Sequence, residues 1–489
     1  MALYDGTNAP LIKVYLDTGN RTSGLFTLSW SQLGGTDVLG EYTPFTTLTQ
    51  MPTTDVKSIA IRRGRTREDQ AIQAGSLTLT MDNTSGSYDP EYAKGATVTA
   101  ASGASGTVTY TSSNDFKVGE IVSIRNLSVS ALNLTLQTIV SASSTQFTVS
   151  NPATGSCSGQ SATANTGYVY WDTTTLTVNS LLVAGTGVRV TASITRSGGV
   201  SEVPLYTGFI EQVDKDMSLQ PVTTITCVDG LGIMAKLFSS IDTTNLGDAT
   251  AIGRVLDSAG WNQNFYYSSD SCRVSAIPTG DVLTMVQPIV STQANAMFFC
   301  SASGDAVYYG YAAFAPGVWA GKTKQFTMTD TRASTDVVEY DSISVIGGEK
   351  YRRNQVTINN TNPDGSTGTR TKFNQVSVAR YGTIAAQIST FYSDIFYAPG
   401  VLATITQRLA DQFADSQYRV DSIGFECVGF SAELWYNIIT SDLSSAVIVS
   451  RTPIYSDGYA FDYQCYIQEL NHDIKPDSWR MSLTLSPGT

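Results

Sequence analysis

One histidine, His472, limits what chemistry this 489-residue chain can do. A Ser/His/Asp or Cys/His centre would have to use it, and it sits in a strand-to-turn segment beside Asp473 with no serine or cysteine motif nearby. It reads as a structural histidine bonded at a strand end. Zinc chemistry needs several grouped His, Cys or carboxylate ligands, and the sequence has neither H-E-x-x-H nor clustered cysteines. The cysteines Cys157, Cys227, Cys272, Cys300, Cys427 and Cys465 lie far apart without a C-x-x-C pair, as buried free thiols do. Gly317-Val318-Trp319-Ala320-Gly321-Lys322-Thr323 approaches a phosphate loop but is one residue short between its glycines, and Pro316 supplies no N–H.

The carboxylates are equally noncommittal. Asp82 with Asp89, or Asp214 with Asp216, could in principle flank a sugar, which needs two carboxyls roughly 5–10 Å apart. Acidic turn residues more often serve as caps and loop formers. Asp82 to Asp89 also lacks the order and distal Glu of a Ca²⁺ loop. No catalytic set, cofactor or metal is therefore expected. The densest charge is basic: Arg62, Arg63, Arg65 and Arg67, partly offset by Glu68 and Asp69. Four arginines in six residues repel one another, so the cluster is expected to be a loop that meets carboxylates of a neighbouring subunit.

The elements that must carry these residues alternate with period two. Ile59 and Ile61 alternate with Ser58, Ala60 and Arg62, while Leu77, Leu79 and Met81 alternate with Ser76, Thr78, Thr80 and Asp82. Two half-buried strands result, with the arginines between them. Asp82-Asn83-Thr84-Ser85-Gly86 and Tyr88-Asp89-Pro90 close the second strand. Leu11–Leu16 and Leu25–Trp30 are further strand candidates, expected to pair with this segment. Between about Gly95 and Leu176 the composition turns to Ser, Thr, Ala and Gly, and the alternating style resumes at Val188–Ala192, Leu205–Glu211 and Thr224–Asp229. A small β module inserted into a larger sheet domain follows. Helices are few: Leu231–Phe238, a stripe through Ile252, Val255, Leu256 and Ala259, the longer stripe Val401 to Phe413, and Ala432–Ile439 before a strand at Ala446–Ser450. A pair at Tyr463–Asn471 and Trp479–Leu485 closes the chain.

Composition agrees with a sheet protein. Charged residues are 15% of the chain, against about 25% in typical domains. The 42 acidic residues against 30 basic ones give a net charge of −12, which disfavours specific nucleic-acid binding. The N-terminus shows no signal-peptide pattern and no run reaches membrane-span length, so a protein made in a cytosol is expected.

Several fragments, in order, carry a resemblance. Ile-Arg-Arg-Gly-Arg (61–65), Ala-Gly-Ser-Leu-Thr-Leu-Thr-Met-Asp-Asn (74–83), Tyr-Asp-Pro (88–90), Gly-Val-Arg-Val (187–190), Leu-Tyr-Thr-Gly-Phe-Ile (205–210) and Cys-Val-Asp-Gly-Leu (227–231) resemble the tail hub, or minor tail, proteins of long-tailed bacteriophages. So do Val255–Trp261, Asn354–Val356, Ala410-Asp411 with Tyr418–Val420, and Glu469–His472 with Trp479. The motif positions are Gly64, Gly75, Asp82, Asn83, Asp89 and Pro90, with Arg62, Arg63, Arg65 and Arg67 as the subunit contact. The resemblance implies a mainly β, non-enzymatic structural protein with tail-tube-like barrel or sandwich domains and a few short helices. The expected layout is 1–93 plus 177–245 as a first hub domain, 94–176 as the inserted module, 246–345 as an intermediate α+β domain and 346–489 as a second hub domain. It further implies a homotrimer at the virion tail tip, assembled in the bacterial cytoplasm. Its partners would be the distal tail protein, the tape measure protein and other tail-tip or fibre proteins, with DNA only in transit. The 94–176 module looks like small β modules of phage structural proteins, decorations or binders of host surface glycans. The alternatives are a distal tail protein, a glycan-binding tail-tip protein and a tail-associated hydrolase.

Overall fold

A computed structural model of the chain describes residues 8–18, 45, 47–67, 70–89, 94–172, 177–216, 221–261, 263–267, 272–291, 293, 296–314, 322–331, 334–346, 352–362, 364–390, 392–393, 400–414, 419–452 and 461–488. The fold is mainly β, with a few short helices. Alternation dictates the central strands: Leu77, Leu79 and Met81 of Gln73–Asp82 are fully buried while Thr78 faces solvent. In Val56–Gly64 the same period buries Ile59, Ile61 and Arg63. Ile61 lies between Leu77 on one side and His472 on the other.

These two strands stand in the middle of a fourteen-stranded sheet. From Gln73–Asp82 the order runs outward through Val222–Val228, Gly199–Asp216, Gly187–Arg196 and Leu11–Asp17 to Leu48–Gln50. From Val56–Gly64 it continues into Phe461–Lys475, Ala446–Arg451, Lys324–Thr329 and Val338–Glu339. Ser478–Pro487 pairs with the other edge of Phe461–Lys475 and leads to Arg419–Glu426 and Ser342–Ile346. One sheet thus takes strands from both ends of the chain. Helix Ala432–Thr440, capped by Ser431 accepting from the Leu434 N–H, buries Leu434, Trp435, Ile438 and Ile439. It packs on Gly187–Arg196 as well as on Lys324–Thr329, strands seven places apart in the order, so the sheet curls around it.

Residues 95–166 form a closed six-stranded barrel. Phe147 fills its core, stacked on Tyr110 and edge-on to Phe116, each at 5.2 Å. The two chain crossings lie side by side: the Thr166 N–H donates to Lys94 O (3.0 Å) and the Lys94 N–H to Thr166 Oγ1 (3.1 Å). Below them Tyr88 stacks on Tyr168 at 5.2 Å and donates to Asp55 (2.7 Å). Ile121 and Leu136 of the barrel join the core of the large sheet.

A further core gathers helices Asp248–Ser258, Val282–Ser291 and Val401–Gln412 with strand Gln355–Thr361. Ranges 246–345 and 346–489 each contribute to this core and to that of the large sheet. Two details depart from the sequence reading. Leu11–Asp17 pairs with Gly187–Arg196 and Leu48–Gln50, not with the central strands, while Leu25–Trp30 lies outside the described residues. Helices Val282–Ser291, with Pro288 inside it, and Gln375–Tyr381 have no counterpart among the expected elements. No helix among the described residues is long and apolar enough to cross a membrane.

Because the barrel has its own core and its ends hydrogen-bond to each other, replacing residues 95–165 by a two-residue turn is expected to leave a folded chain. Loss of the Ile121 and Leu136 contacts should lower the urea midpoint without removing the cooperative transition. Insoluble or non-cooperative protein would mean that the large sheet depends on the barrel.

Candidate functional site

The period of the Val56–Gly64 strand carries a charged residue into the core. Arg63 is 3% exposed and donates to Cys300 O (2.8 Å) and to Asp442 Oδ1 (2.7 Å). Asp442 is held in turn by the Ala302 N–H at 3.0 Å and the Leu443 N–H at 2.7 Å. On the other side Asp229 caps helix Gly230–Met234 by accepting from the Leu231 N–H (3.0 Å). Gly75 keeps Asp229 and Arg63 in one space, since a Cβ there would lie 2.6 Å from Asp229 Oδ2 and 2.9 Å from Arg63 Cγ. Burial pushes the Asp229 carboxyl up to about 6, opposed by the Gly75 amide and the Arg63 charge.

Gly64 and Arg65 fasten the next step. Gly64 has φ +116°, and a Cβ on it would meet Gln468 O at 2.1 Å and Glu469 Cα at 2.7 Å, so the two backbones touch here. Beyond this irregularity the Arg65 N–H donates to Gln468 O (2.9 Å) and its Nε to Gln468 Oε1 (2.7 Å). Its Nη1 donates to Gln70 O and Ala296 O, each at 3.0 Å. Arg62 points the other way, exposed, and pairs with Glu469 at 3.0 Å.

Arg62 and Arg63 therefore lie in a strand and not in a loop. Within the chain, the guanidinium groups of Arg63 and Arg65 are buried on partners of their own. Arg67 is half-buried in a turn closed by the Gln70 N–H on Arg67 O (3.1 Å), and Glu68, Asp69 and Pro90 lie outside the described residues. Asp82 accepts from the Thr84 N–H and hydroxyl at 3.0 and 2.9 Å, while Asp89 pairs with Lys215 at 2.6 Å. Asn83, buried, accepts the Tyr88 N–H (3.0 Å) and so positions the tyrosine beneath the barrel. Asp214 accepts from Gln212 on an open strand. Of the phosphate-loop-like segment only Lys322 and Thr323 are described, and Lys322 Nζ sits over the rings of Tyr466 (4.8 Å), Phe314 (5.0 Å) and Tyr309 (5.8 Å). All six cysteines are free thiols, five buried and Cys157 half-buried. Among the described residues no three His, Cys, Asp or Glu side chains come together as a metal site would need.

Two residues of the seam escaped the sequence reading. Asp442 and Gln468 give no local sign of their role. Asp229 belongs to the Cys-Val-Asp-Gly-Leu fragment, and its place just before a short helix is a capping signal. His472, one strand over from Ile61, is buried and accepts the Trp479 Nε1–H at Nδ1 (3.2 Å). Burial, helped by the Arg63 charge, lowers its pKa to about 3, so it stays neutral and structural.

No family model matches the chain, and no curated protein matches it. Solved structures do. Tail proteins stand among its structural neighbours. The tail protein from Neisseria meningitidis aligns at a TM-score of 0.43 and 10% identity over 62% of this chain and 88% of its own. The 43 kDa tail protein of a Shewanella oneidensis prophage aligns at 0.44 and 9% identity over 97% of this chain and 98% of its own. A Francisella PdpA–VgrG complex aligns at 0.39 and 9% identity over 99% of this chain and 54% of that one.

Two measurements check the seam. Gly64→Ala should destabilise the chain by roughly 2–5 kcal/mol, combining left-handed strain with a backbone clash. Gly365→Ala, strained at φ +80° but with nothing within 4 Å of its Cβ, should be milder in the same thermal melts. His472 has a native pKa below its unfolded value of 6.5, so the unfolded state binds the extra proton and stability falls as pH drops from about 6.5 towards about 3. Asp229, raised above its unfolded value, acts with the opposite sign, losing stability as pH rises towards about 6. The stability of His472→Gln relative to the parent should therefore rise by about 1.4 kcal/mol per pH unit on acidification through the histidine window. A pH-independent difference would mean that His472 is protonated in the native state.

Proposed function

We propose that this chain is a structural virion protein, the homotrimeric tail hub that joins the distal end of a phage tail tube to the tip and forms part of the DNA conduit. The observation that carries the reading is spatial. The fragments that resemble tail hub proteins are scattered from residue 61 to residue 479, yet 61–65, 74–83, 227–231 and 469–472 with Trp479 occupy neighbouring strands and meet around Arg63, Gly64 and Gly75. Residues that recur in a family because they hold one seam should converge in this way.

The rest is consistent with a scaffold. A sheet drawing strands from both ends of the chain makes a rigid body, and a net charge of −12 suits a conduit that must not retain DNA. Three chains with two β regions each can present six similar faces to a sixfold tube. The distal tail protein and the tape measure protein are the neighbours such a position requires. Arg62, the outward member of the cluster, is the one proposed to reach a neighbouring subunit, and the 95–166 barrel stands out as a decoration or a host-glycan contact.

Native mass spectrometry of the purified chain, together with reconstruction of intact particles, is expected to give three copies in one ring at the tail tip. A stable monomer in both, or a ring of six, would remove the hub reading, and six would favour the distal tail protein.

A further inference from the structure

Strand Ala385–Thr390 is one edge of a three-stranded sheet whose middle strand is Gln355–Thr361 and whose far strand is Thr367–Phe373. It pairs with the middle strand in parallel, Ala385 beside Gln355 and Ile388 beside Ile358. Ile384 O accepts from the Gln355 N–H at 3.2 Å and so faces inward. Successive residues of a strand turn their N–H and C=O to opposite sides, so those of Ala385, Gln387 and Ser389 face away from the sheet. Among the described residues nothing hydrogen-bonds to them.

Natural sheets guard such edges with charges, prolines, bulges or a covering element. The far strand carries Arg370 and Lys372, but Ala-Ala-Gln-Ile-Ser-Thr contains neither charge nor proline. This unguarded edge borders a cavity of about 430 Å³, whose wall includes Ala385, Ala386, Gln387 and Ile388 in succession. Because side chains alternate between faces, four consecutive residues can line one cavity only along a strand's edge. The opposite wall is largely apolar, with Val286 of one helix and Leu409 and Phe413 at the end of another. Its charged lining residues are Arg65 and Arg353, and no Asp or Glu lines it.

We propose that this edge receives an extended segment of another protein, added as a fourth strand. The backbone of Ala385, Gln387 and Ser389 would supply the pairing, and the adjoining cavity would take alternate apolar side chains. The absence of lining carboxylates fits a segment that is uncharged or acidic. The inference rests on the edge and its cavity and stands apart from the tail-hub reading.

The probe is a fluorescein-labelled, acetylated peptide, Ser-Val-Thr-Val-Thr-Val-Glu, titrated against the full chain by anisotropy, with hydrogen exchange of the 385–389 segment read in parallel. Saturable binding that slows exchange in this segment is expected. Gln387→Lys places a charge on the edge, and Gln387→Pro removes one outward N–H without touching an inward bond. Each should weaken binding at least tenfold while the melting transition is kept. If one variant fails to fold, the other still decides. No saturable binding, binding indifferent to both substitutions, or protection elsewhere would overturn the proposal. Protection of 385–389 that grows with protein concentration without peptide would overturn it in favour of a second copy of the chain.

Discussion

A guanidinium group in a protein interior must find acceptors and a counter-charge, and that requirement organises this molecule. Arg63 reaches its place by strand alternation alone, and once there it must find Asp442, Cys300 O and the field of Asp229. Removing one member of a buried charged group strands the others, which typically destabilises by about 3–5 kcal/mol. The central strand, the strand bearing Cys300 and the turn holding Asp442 are therefore fixed relative to one another by directional bonds, and the helix that Asp229 caps is tied to the adjacent strand by the Asp229 N–H on Gly75 O. Apolar packing tolerates sliding far better than such bonds do.

The neighbouring contacts extend this rigidity along the seam. Gly64 lets two backbones approach until no side chain fits between them, and Arg65 repeats the clamp one residue further on through Gln468. The sheet is thereby locked in register where its two halves meet. A one-residue slip would send Arg63 to the solvent face and Arg62 into the core.

Sequence showed the strands around this seam because period two is a local property: Ile59 and Ile61, then Leu77 to Met81, are legible without any partner. The helix endings were legible for the same reason, as at Val401–Gln412 and Ala432–Thr440. The burial of Arg63 and Arg65 was not legible, because cations gathered around a glycine resemble a solvated turn. What buries them, Gln468 and Asp442, lies about four hundred residues away in the chain, and nothing local reveals it. Pro288 inside Val282–Ser291 hid a helix by the ordinary meaning of proline.

The pairing of Val56–Gly64 with Phe461–Lys475 also has a consequence during synthesis. The barrel can close as soon as residue 166 has emerged, because all its strands come from one short stretch. The central sheet cannot, since its middle contact joins positions some 410 residues apart. Folding is slowed by such non-local pairing, and at ribosomal rates of about 5–20 residues per second the edge of Val56–Gly64 stays open for roughly 20–80 seconds. The arginines then acquire a second meaning. Until its partner strand arrives, that edge ends in Arg62 and Arg63, and charged side chains on an open edge are one means by which natural sheets avoid pairing with one another.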